Sequence, residues 1–248
     1  MQERVPMSEP LPPTPLRRGP ERRVWTKAGP VDSARMLDEE IDVRVEREEV
    51  STADPGAMAL FGFAVGTLIV AFPIAGLVPA TTTLATIPPV LVFAGIAQFI
   101  GGLIAYRRGN TFAGTAFCSY GANNVVVATY FLLQAMKVIP STPGSPAMHM
   151  LALELFCFAL ISLIFAIGAL RLNVAFTLIL LALVPGFALA AIPNLGGTPV
   201  SPVIGHIGGY FLMASAAFAG YGAAALVLNS VWRRGFLPLG SLAPRAQG

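Results

Sequence analysis

Residues 147–170 read AMHMLALELFCFALISLIFAIGAL, an apolar run that carries one imidazole, His149, and one carboxylate, Glu154. At 1.5 Å of rise per residue, such a run crosses a hydrocarbon core of about 30 Å as one helix. Working outward in both directions, runs of similar length recur near 57–78, 88–106, 111–136, 173–193 and 203–231. The separators are polar or helix-breaking: Pro79 with a run of threonines, Arg107-Arg108-Gly109-Asn110, Pro140–Pro146, Arg171, and Asn194–Pro202. The pattern predicts an all-α polytopic membrane protein, a bundle of six transmembrane helices.

Composition agrees with that reading. The 248 residues are 55% hydrophobic and 12% charged, with a mean hydropathy of +0.70, whereas soluble domains carry about twice that share of charge. Of 13 acidic residues, only Asp54 and Glu154 lie after position 50. Residues 1–53, rich in Pro, Arg and Glu, are too polar to bury a core and read as a disordered cytoplasmic tail. Within it, Met36–Val50 is open to a second reading, a short element against the cytoplasmic mouth or a neighbouring subunit. No apolar stretch follows Arg22-Arg23 before the charged run at 38–49, so no export signal is expected. The transport domain is placed at 54–234 and a short C-terminal tail at 235–248.

Lysine and arginine orient the chain, because short basic loops stay in the cytoplasm. Nine of the 16 fall in the tail; Arg107, Arg108, Arg171, Arg233, Arg234 and Arg245 all follow even-numbered spans, and the other side carries only Lys137. Both termini are therefore expected in the cytoplasm, with the bundle in the plasma (inner) membrane. The net charge of +3 is topological in origin and implies no nucleic-acid partner. Cys118 and Cys157 lie in apolar runs and imply no disulfide. No phosphate loop or metal-ligand spacing occurs, so neither a cofactor, a metal nor a catalytic residue is expected, and the chain is not read as an enzyme.

A pathway needs only a few inward polar groups and a constriction. Tyr120, Asn123 and Asn124 share one face of the third span at i, i+3, i+4 spacing, either lining a pore or hydrogen-bonding to neighbouring helices. Gln98 on the second span carries the same two readings. Glu154 either faces a cavity and exchanges protons, or stays protonated or reaches the outer surface to pair with Lys137 or His149. Gly62, Gly66, Gly101, Gly102, Gly205, Gly208 and Gly209 are assigned to close helix packing. Asp54-Pro55 reads as an N-cap followed by a first helical position.

These residues resemble the acetate uptake transporters, a family that includes bacterial succinate–acetate permeases and yeast acetate and ammonia-export proteins. The resemblance runs from about 54 to 240. It rests on Gly95-Ile96-Ala97-Gln98, on Tyr106 through Phe112, on Thr115-Ala116-Phe117 and Ser119-Tyr120-Gly121, and on Gly208-Gly209-Tyr210, Val227-Leu228-Asn229 and Leu237-Pro238-Leu239-Gly240. The family's opening signature, Asn-Pro-Ala-Pro-Leu-Gly-Leu, is matched in part by Asp54-Pro55-Gly56-Ala57-Met58-Ala59-Leu60. Asp54, Pro55 and Leu60 are thereby candidate entrance residues. The resemblance implies a hexameric ring in the lipid bilayer with one pathway per subunit. It also implies proton-coupled uptake of acetate-like carboxylates, succinate among them, and a constriction formed here by Phe63, Tyr120 and Leu183. Asp54 stands where the family has Asn, and Asn123-Asn124 where relatives often have bulky aromatics. Those departures keep a pathway for a neutral solute or ammonia in view, and the long charged tail a second alternative, a sensor or scaffold that engages cytoplasmic partners and no longer transports.

Overall fold

The computed structural model describes residues 52–195 and 201–242; the tail, with Met36–Val50, lies outside them. Six helices are long and apolar enough to span a membrane: α1 Gly56–Ile74, α2 Ala80–Arg107, α3 Thr111–Ala135, α4 Pro146–Ala169, α5 Val174–Leu195 and α6 Pro202–Trp232. The six-helix expectation is borne out, and the starts of the later helices have local causes. The side chains of Asn110, Ser145 and Ser201 accept N–H bonds from Ala113, Met148 and Val203, and Asn173 Oδ1 accepts from Phe176 N, satisfying donors that a helix start leaves orphaned.

Two boundaries differ from expectation. Helix α1 begins at Gly56 with Pro55 as its cap, so Asp54 sits one residue further out; its Oδ1 still accepts the Gly56 N–H at 2.9 Å. The threonine run, read as a separator, is instead the opening of α2: Ala80–Thr86 is 3-10 helix, in which the hydroxyls of Thr82 and Thr86 donate to Pro79 O and Thr83 O. Further along α2, Val90–Ala97 widens into π-helix immediately before Gln98. Such segments interrupt the regular backbone ladder and are often found at functional sites.

Helix α5 packs along α4 and α6, α1 along α6 and α2, and α2 along α3, whereas α3 and α4 touch only sparsely. The helices thus form a ring closed by a thin α3–α4 seam. Close approach elsewhere needs glycine: a Cβ on Gly62 would lie 2.5 Å from Phe93 O, and one on Gly208 2.5 Å from Ala190 N. Outward faces are apolar, with Ile164 of α4 69% and Val231 of α6 70% exposed, a surface suited to lipid rather than water. Beyond α6 the chain folds back. Val174 N donates to Gly240 O at 2.7 Å, and the Asn229 carboxamide bonds both the N–H and the C=O of Leu237 at 2.9 Å. The motif residues Asn229 and Leu237–Gly240 therefore close the end of the bundle that carries Arg107, Arg108 and Arg171.

Candidate functional site

A cavity of about 640 Å³ runs into the ring from the end opposite the arginines. Its mouth is lined by Pro73, Thr81, Ser141, Asn194 and His206, and its deep end by Phe63, Tyr120, Asn123, Asn124 and Phe187. A second hollow of about 30 Å³, room for little more than a water molecule, is lined by Leu60, Phe63, Gln98, Tyr120, Leu180 and Leu183. Phe63 and Tyr120 line both spaces, so their rings, with centroids 5.8 Å apart, form the partition between them.

Tyr120 is held from several sides. Its ring lies 6.0 Å from Phe158 and 5.8 Å from Phe165, both on α4. Its hydroxyl lies 2.9 Å from Ser162 Oγ, and because the Ser162 hydrogen goes to Phe158 O at 2.7 Å, Tyr120 is the donor. This buried bond spans the thin α3–α4 seam and locks the ring in place. Ser162, fully buried, is a participant that the sequence reading passed over; its only signal was a lone hydroxyl amid the apolar residues of α4.

The remaining candidates divide. Leu183 is fully buried but lines only the small hollow, while Phe187, one turn further along α5, faces the large cavity beside the partition. Gln98 lines the hollow, and its Oε1 accepts a long 3.5 Å contact from Asn124 Nδ2. That amide also donates to Tyr120 O at 2.9 Å and to Ala94 O, in the π-helical segment, at 3.4 Å. Asn124 thus serves both readings, binding helix to helix while lining the cavity. Leu60 borders the hollow, whereas Asp54, Pro55 and Glu154 line neither space. Glu154 is half-buried without a charged or hydrogen-bonding partner among the described residues, so the anticipated pairing with Lys137 or His149 is not formed. Among those residues no His, Cys, Asp or Glu cluster could hold a metal, and both cysteines are free.

Residues 41–235 match the family model described as the GPR1/FUN34/yaaH family. The chain belongs to that family. Among GPR1/FUN34/yaaH relatives, the succinate-acetate/proton symporter SatP of Escherichia coli K12 is 28% identical over 194 residues, covering 76% of this chain and 95% of SatP. Acetate permease A of Emericella nidulans is 28% identical over 187 residues, 72% of this chain and 62% of the permease. The solved structure of the bacterial acetate channel SatP superposes with a TM-score of 0.69 at 28% identity, covering 77% of this chain and all of that one. The GPR1/FUN34/yaaH assignment bears out the resemblance read from the motifs. The two-sided aromatic partition thus lies in a chain similar to a symporter, a permease and a channel.

Proposed function

We propose that the chain conducts acetic acid or a similar short carboxylic acid across the membrane, crossing the Phe63–Tyr120 partition as the neutral molecule. The observation that carries this reading is the chemistry of the cavity: among the described residues that line it, none is Lys, Arg, Asp or Glu. An anion entering such a space gives up its hydration without a counter-charge, a cost of several kcal/mol or more. A protonated acid loses far less, and its proton crosses with it. Proton coupling then resides in the substrate, in keeping with the symporter and channel descriptions of the family relatives.

The basic loops orient the bundle with the arginine-bearing end in the cytoplasm and the large cavity opening outward. Trp232 stacks on Phe236 at 5.1 Å with Arg234 over the indole at 5.2 Å, an aromatic and cationic cluster suited to the inner lipid interface. Phe63 and Tyr120 together form one layer of the constriction and Leu183, across the hollow, the next, and Asp54 lies at the cytoplasmic entrance. The glycine-dependent packing and apolar outer faces suit assembly as a ring of copies, a homohexamer in the plasma membrane.

The test is uptake of labelled acetate by vesicles containing the purified protein. An ordinary carboxyl titrates near 4, so its neutral fraction falls about a hundredfold between pH 5.5 and 7.5. Uptake at fixed total acetate should fall steeply over the same interval. Uptake that is absent, flat with pH, or unchanged in Tyr120→Ala defeats the proposal.

A further inference from the structure

Asn123 lies one helical turn from Tyr120 and lines the large cavity, yet it is only 4% exposed and its Oδ1 is buried without a hydrogen-bond partner. The fold accounts for the other polar groups nearby. The Tyr120 hydroxyl is spent on Ser162, and the Asn124 amide on Tyr120 O and Ala94 O. None of these bonds is made by Asn123, so its carboxamide is neither a helix-to-helix link nor part of the partition. A buried acceptor left in that state costs free energy that an incoming donor returns.

We propose that Asn123 is a specificity-determining residue, an acceptor at the deep end of the cavity that engages the O–H of a neutral carboxylic acid. The inference rests on the carboxylic-acid reading above and adds the residue that distinguishes acid from anion. A neutral acid can accept from Asn123 Nδ2 while donating its O–H to Oδ1, whereas a carboxylate can only accept from Nδ2 and leaves Oδ1 facing its own lone pairs. An acid donates to it and reaches the aromatic partition already protonated. The neighbours add no competing charge. Phe63 of α1, Leu155 of α4 and Phe187 of α5 are apolar, Tyr120 is committed, and His206 of α6 stands apart, against Gly76 just beyond α1. Glu154 does not line the space. An ammonium ion could also donate, but no carboxylate among the lining residues would balance its charge.

Acetamide and acetone provide the test, being neutral and nearly isosteric with acetic acid while only acetamide carries hydrogens to donate. Both are used as competitors of labelled acetate uptake in vesicles, and both are titrated against the purified full chain by thermal stabilisation, which reads binding without transport. In the native protein acetamide should outcompete acetone by about tenfold, the scale of one bond to an otherwise orphaned buried group. Asn123→Leu should bring that ratio to about one, and Asn123→Gln, which keeps the carboxamide, should restore part of it. Should the Leu variant fail to accumulate, Asn123→Ala replaces it. Equal competition by the two probes in the native protein, or a preference that survives in Asn123→Leu, overturns the inference. Absence of acetate uptake alongside a preserved acetamide preference in the stabilisation assay would instead defeat the transport reading and leave the site standing.

Discussion

Removing the Ser162 hydroxyl should cost more than removing the hydroxyl that it holds. In Ser162→Ala the Tyr120 O–H remains buried with its acceptor gone, and a buried donor without a partner costs about 1–3 kcal/mol. In Tyr120→Phe the donor itself disappears, and Ser162 keeps its own hydrogen bonded to Phe158 O. The loss is then the net worth of one interhelical bond in a membrane, about 0.6 kcal/mol on average. The double variant should cost no more than Ser162→Ala alone, because the orphaned group is gone, so the two effects are strongly non-additive. Denaturant unfolding of the four proteins in mixed micelles measures all three differences. If Tyr120→Phe proves the costlier single change, or if the two effects simply add, the bond does not close the α3–α4 seam as described.

Gly208→Val should prevent stable assembly of α6 against α5, since even its Cβ would press within 2.5 Å of Ala190 N. Strain in an overpacked core is typically about 1–3 kcal/mol, and size-exclusion chromatography in detergent should show loss of the native peak. Asn229→Ala removes both bonds to Leu237 and should free the segment that covers the start of α5, seen as faster protease cleavage after α6 while acetate uptake changes less than about twofold. Glu154→Gln should leave acetate uptake and its pH profile unaltered, because the side chain borders neither the cavity nor the hollow; a flattened profile would restore Glu154 to the proton path.

Much of the scaffold was legible because its signals are local. Arg171 marks the turn between α4 and α5 even though the two runs almost touch, and Asn110, Ser145 and Ser201 mark helix starts through side chains that bond their own backbone. The threonines at 81–83 and 86 misled for an equally local reason: hydroxyls that suit a loop in water satisfy a tight 3-10 turn just as well. The site was less readable. Leu183 was assigned to the constriction along a stretch of α5 with no polar landmark, and only the packed bundle shows that Phe187 faces the large cavity and Leu183 the hollow behind it.

The sequence by itself determined that six helices cross a bilayer, where all but α2 begin, and which loops carry positive charge, because span length, capping and basic residues are properties of one segment at a time. Tertiary structure alone decided which side chains meet: Tyr120 with Ser162 across 42 positions, Phe63 with Tyr120 across the ring, Asn123 left unpaired at the cavity's deep end, and Glu154 turned away from it. The physical reason lies in the helices themselves, which are apolar around their whole circumference. In water an amphipathic stripe announces the buried face, but in lipid both faces are greasy, and only the fit of one helix against the next decides which residues look inward.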